Sequence, residues 1–108
     1  MKNVQFEKDL ESPHSNLFEV ARQFLLSMDG IVETRKPRIT TYSNSEGGIC
    51  HLRTMSHGID FGFLKGARMK DDHGRLAGNG KAIRVLSLRK FEPETVSYYL
   101  DQAVQLNR

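Results

Sequence analysis

The chain has 108 residues and a mass of 12.3 kDa, with 38% apolar and 27% charged side chains. That suits one domain with one modest core, spanning residues 1–108, and excludes a disordered chain. The net charge of +3 is uneven: residues 31–91 carry twelve basic and five acidic side chains, while residues 1–30 and 92–108 are each acidic by two. No window approaches eighteen apolar residues, the leading segment has no apolar signal stretch, and the lone Cys50 cannot close an internal disulfide; a cytoplasmic, non-membrane protein is expected.

The first predicted element is a helix over about residues 14–28. Leu17, Val20, Ala21, Phe24, Leu25 and Met28 recur at spacings of three and four and form one apolar stripe. Ser12 before Pro13 reads as its cap, and Gly30 as its stop. The period then changes to two. The run RITTYSNSEGGICHLRT reads as two strands around a turn at 44–48. A tight turn at His57–Gly58 leads into a strand over 58–64, in which Ile59, Phe61 and Phe63 face one way and Asp60, Gly62 and Leu64 the other. Cys50 and Leu52 are expected on the buried face, with His51 and Arg53 on the opposite one. A further strand covers 82–88, and a second helix covers about 93–106, with Pro93 in its first turn and Val96, Tyr99, Leu100, Ala103 and Val104 on one face. Short turns make neighbouring strands antiparallel. Two amphipathic helices and one sheet give a two-layer α+β sandwich, both helices on one face of a mainly antiparallel sheet of about four to six strands.

Residues 62–84, GFLKGARMKDDHGRLAGNGKAIR, hold five of the nine glycines and six basic side chains. A phosphate loop of the form G-x-x-x-x-G-K-[ST] fails here, because position 75 is Arg75 and position 82 is Ala82. A dinucleotide loop fails because position 83 is Ile83. Gly66 reads as the end of a strand, and Gly74, Gly78 and Gly80 as turn residues with positive φ. If strands 58–64 and 82–88 are neighbours, the two ends of the loop meet. Lys65, Arg68, Lys81 and Arg84 then form a positive patch for an anionic small molecule or an acidic protein partner. His14, His51, His57, His73 and Cys50 lack the short paired spacing of a zinc site, so no metal or cofactor is assigned. No nucleophile elbow is present, no catalytic residue is named, and the chain is read as a non-enzyme. Only Tyr42 is a candidate exposed sheet aromatic, which argues against specific nucleic-acid binding.

The run HGIDFGFLKGARMKDDHGRLAGNGKAIRVLSLRKF resembles the YdhG-like family of small bacterial domains of unknown function. The resemblance is carried by Gly62-Phe63, Gly66-Ala67, Asp71, Gly74, Leu76, Gly78, Gly80-Lys81 and Arg84, and covers about residues 14–105. It implies a frataxin-like helix–sheet–helix architecture. It also implies an alternative function, an iron-binding accessory role in intracellular iron delivery, for which Glu7, Asp9, Glu11, Glu19 and Asp29 are the available carboxylates.

Overall fold

A computed structural model describes residues 4–108. Its elements are α1 (Gln5–Glu11), α2 (Ser15–Leu26), β1 (Val32–Arg35), β2 (Thr40–Asn44), β3 (Gly47–Met55), β4 (Gly58–Phe63), a single 3-10 turn (Gly66–Arg68), β5 (Leu76–Ala77), β6 (Arg84–Leu88) and α3 (Pro93–Leu106). The six strands form one antiparallel sheet in the order β1-β2-β3-β4-β6-β5. The helices cover one face, giving the expected two-layer α+β sandwich. Strands 58–64 and 82–88 are indeed neighbours, with Phe61 opposite Leu86 and Gly62 opposite Val85. Among the described residues, no helix is long and apolar enough to cross a membrane.

The core follows from strand alternation. Residues opposite each other in adjacent antiparallel strands share a face. Leu52, Phe61 and Leu86 make one file across β3, β4 and β6, and Tyr42, Cys50 and Phe63 make the next. All six are fully buried under the helices. Phe61 and Phe63 stack with ring centroids 5.9 Å apart. From α3, Val96, Tyr99, Leu100 and Ala103 close the layer.

Three expectations need correction. Ser12 does not cap the long helix. It ends α1, a short helix that the periodicity did not reveal, and its Oγ accepts the His14 N–H at 3.0 Å in the bend before α2. The buried line of α2 runs through Phe18, Ala21 and Leu25, so Val20 is left 49% exposed. Tyr42 is fully buried rather than exposed. Its hydroxyl donates to Glu33 Oε2 at 2.8 Å, and Arg22 of α2 grips the same carboxylate through Nε at 2.6 Å and a second nitrogen at 3.1 Å. Arg35 donates to Glu33 from β1, and its guanidinium lies over the Phe6 ring at 3.7 Å. This cluster ties α1, α2 and the β1 edge together. Burial raises the Glu33 pKa, but the hydrogen bonds from Arg22, Tyr42 and Arg35 outweigh it and hold the carboxyl below its usual range.

Candidate functional site on the uncovered sheet face

The glycine-rich connection is well structured. Gly66 lies so close to β6 that an added Cβ would sit 2.7 Å from the Arg84 backbone nitrogen. The Ala67 N–H donates to the Ala82 carbonyl at 2.8 Å, so the two ends of the loop meet as expected. Asp71 organises the turn by accepting the Arg75 and Leu76 N–H groups and the Tyr99 hydroxyl. Burial, then this bond to Asp71, pushes the Tyr99 pKa up to about 12. Arg75 bridges to Glu92 at 2.9 and 3.1 Å, pinning the loop to the start of α3. Gly74 (φ 65) and Gly78 (φ 123) occupy the left-handed region, but Gly80 does not, contrary to expectation.

The four basic residues of the loop mouth have different surroundings. Lys65 Nζ donates to the Leu106 carbonyl at 3.1 Å, at the C-terminal end of α3. This is where a helix presents unpaired carbonyls and favours a cation. Arg84 folds back onto the carbonyls of Gly80 and Ile83 at 2.7 and 3.0 Å. Arg68 and Lys81 are exposed and make no side-chain hydrogen bond among the described residues. The patch therefore keeps two uncommitted cations out of four.

Among the described residues, no helix lies on the other face of the sheet. By register its surface is formed by Thr41, His51, Arg53, Asp60, Gly62, Val85 and Ser87. Here β3, β4 and β6 frame a cleft of about 300 Å³. Gly62 lies at its floor between His51 and Ile83, both of which an added Cβ would touch at 3.7–3.9 Å. Arg38 and Arg53 supply its basic wall, His51 a polar side chain, Ile39, Ile83 and Val85 its apolar surface, and Asp60 its one carboxylate. Neither Arg38 nor Arg53 pairs with an acid among the described residues. Burial, then the charges of Lys36 and Arg53, lowers the His51 pKa and favours its neutral imidazole. Asp60 Oδ1 accepts the Ser87 hydroxyl at 2.7 Å and stands 2.7 Å from His57 Nε2. This is not a nucleophile–base pair, since the serine bonds to the carboxylate and not to the imidazole.

A larger depression of about 520 Å³ lies between Asp29, the 44–46 turn and Arg108. Gly30 and Val104 also line it, and the side-chain oxygen of Asn44 is taken by the Glu46 N–H and by Asn107. The carboxylates raised by the iron alternative are dispersed. Asp9 is fully buried, its Oδ1 accepting the backbone N–H and hydroxyl of Thr54. Glu19 pairs with Arg22. Among the described residues, no three His, Cys, Asp or Glu side chains converge. His14 contacts the Ser56 carbonyl, and His73 packs edge-on to Tyr98.

The open-face cleft was missed at the sequence level because Arg38 and Ile39 come from the β1–β2 connection and Ile83 from the approach to β6. Only the paired register brings them to Gly62. Comparison with known proteins adds no relative: no family model, no curated protein and no solved structure matches this chain.

Proposed function

We propose that this domain is a non-enzymatic binding module for an anionic ligand, held on the uncovered sheet face at Gly62. One observation carries the reading: two guanidinium groups without acid partners among the described residues, Arg38 and Arg53, border a cleft of about 300 Å³. Guanidinium groups suit carboxylate and phosphate oxygens through paired, charge-assisted hydrogen bonds. The basic side chains expected at the loop mouth serve this role less well, because Lys65 and Arg84 already donate to carbonyls.

The test is an amide-shift titration at low salt, first with inorganic phosphate and then with 3-phenylpropanoate, which adds an apolar arm. Shifts should centre on residues 38–39, 51–53 and 60–62, weaken as salt screens the charges, and vanish in Arg38→Ser/Arg53→Ser. Arg68→Glu/Lys81→Glu should bind as the unaltered chain does. Shifts confined to residues 65–68 and 81–84, or no shift with either probe, would overturn this reading.

A further inference from the structure

We infer that the ligand of this cleft is a small amphipathic anion that also bears a hydrogen-bond donor, and that Asp60 receives the donor; this rests on the reading above. Asp60 stands directly across from Arg53 in the β3–β4 register, yet forms no ion pair with it. Instead, Ser87 and His57 both hold its Oδ1 from the side. Among the described residues, Oδ2 has no hydrogen-bond partner, and the side chain is 18% exposed. A fixed carboxylate inside a basic cleft repels a bare anion. It becomes favourable when the ligand brings a donor or a cationic nitrogen to it. The second requirement comes from the apolar wall. Ile83 is 44% exposed, and with Ile39 and Val85 it offers surface that neither charge uses. The third comes from size. A cleft of about 300 Å³ lies at the small end of ligand sites, which run from about 300 to 1,000 Å³. A molecule of amino-acid dimensions meets all three: its anion faces Arg38 and Arg53, its donor faces Asp60, and its apolar arm lies on Ile83 and Val85.

A matched pair of probes isolates the donor. Phenylalanine and 3-phenylpropanoate share the carboxylate and the phenyl arm and differ only in the ammonium group. On the full chain at low salt, phenylalanine should bind about two- to fivefold more tightly, the range of one partly exposed charge pair. Asp60→Asn, which keeps an acceptor for Ser87, should remove that advantage from both sides, weakening phenylalanine and, by relieving the repulsion, strengthening 3-phenylpropanoate. Gly62→Val should abolish binding of both probes. Its backbone is outside the left-handed region, and an added Cβ would sit at ordinary contact distance, 3.7–3.9 Å, from His51 and Ile83, so the new side chain occupies the space between them. Equal affinity for the two probes in the unaltered chain would overturn the donor role while leaving the anion reading intact. Undiminished binding to Gly62→Val would overturn the placement in this cleft. Absence of binding by phosphate and by both probes would end both readings.

Discussion

Replacing Phe61 by alanine tests the register on which every facing assignment depends. The ring is fully buried, lies between Leu52 and Leu86 in the sheet, and stacks on Phe63 with planes 6° apart. Losing it removes about 100 Å² of buried apolar surface, about 2.5 kcal/mol at 25 cal/mol per Å². The unfilled space adds a cavity cost, and the lost stacking removes about 0.5–1.5 kcal/mol more. The sum falls in the range of about 3–5 kcal/mol typical of such truncations. The chain has no tryptophan, so unfolding is best followed by far-UV circular dichroism in urea. With a slope of about 2 kcal/mol per M, the midpoint should fall by about 2 M. A loss below about 1 kcal/mol would refute the facing assignment. A one-residue slip exchanges the two faces of a strand, and Phe61 would then change places with Asp60 and Gly62.

Three further outcomes are expected. Gly58→Ala should cost more than about 2 kcal/mol, because Gly58 (φ 150) begins β4 with the site of an added Cβ against the Leu88 carbonyl; Gly62→Ala in the same strand should cost less than about 1 kcal/mol, and equal thermal shifts for the two would contradict the structure. The depressed Glu33 pKa makes its ionised form stabilising above the ordinary carboxylate range, a contribution lost as pH falls through the folded-state value. The stability gap between the unaltered chain and Glu33→Gln should therefore narrow below about pH 4 in acid unfolding curves, and a constant gap would show that the carboxylate does not titrate with folding. Cys50, fully buried and with its thiol pKa pushed up by burial, should react with a thiol reagent far more slowly in the native protein than after denaturation.

Some of the architecture is legible in the chain because apolar side chains repeat at the period of their element. Ile59, Phe61 and Phe63 announce β4 by alternation, and Val96, Tyr99, Leu100 and Ala103 announce α3 by helical spacing. The elements that stay hidden are held by polar or very short contacts. α1 has seven residues and buries only Phe6 and Asp9, so no stripe forms. β1 turns inward a carboxylate, Glu33, whose burial makes sense only beside Arg22 and Tyr42 from other elements. β5 has two residues, too few for a period. Tyr42 looks like an exposed strand residue until its hydroxyl is seen to end on Glu33. For β1 and Tyr42 the missing information is a long-range partner for a polar group, and for α1 and β5 it is length.

The same physics explains why the sequence points to the loop mouth for anion binding while the geometry favours the sheet face. A count of basic residues does not distinguish a cation that already has acceptors from one that has none. Lys65 and Arg84 flank the glycine-rich loop and draw attention there, yet their donors end on carbonyls at the close of α3 and within the 80–83 turn. A ligand that used those two side chains would have to displace those bonds, a cost that offsets much of what it gains. Arg38 and Arg53 are separated by fifteen positions in the sequence and stand in no motif. They gain their value from two features outside their own segments. Gly62 on the neighbouring strand lines the cleft they border, and among the described residues no helix covers that face. The proposed assignment to the sheet face therefore rests on two cations, Arg38 and Arg53, that among the described residues keep their donors free beside a cleft, where Lys65 and Arg84 do not.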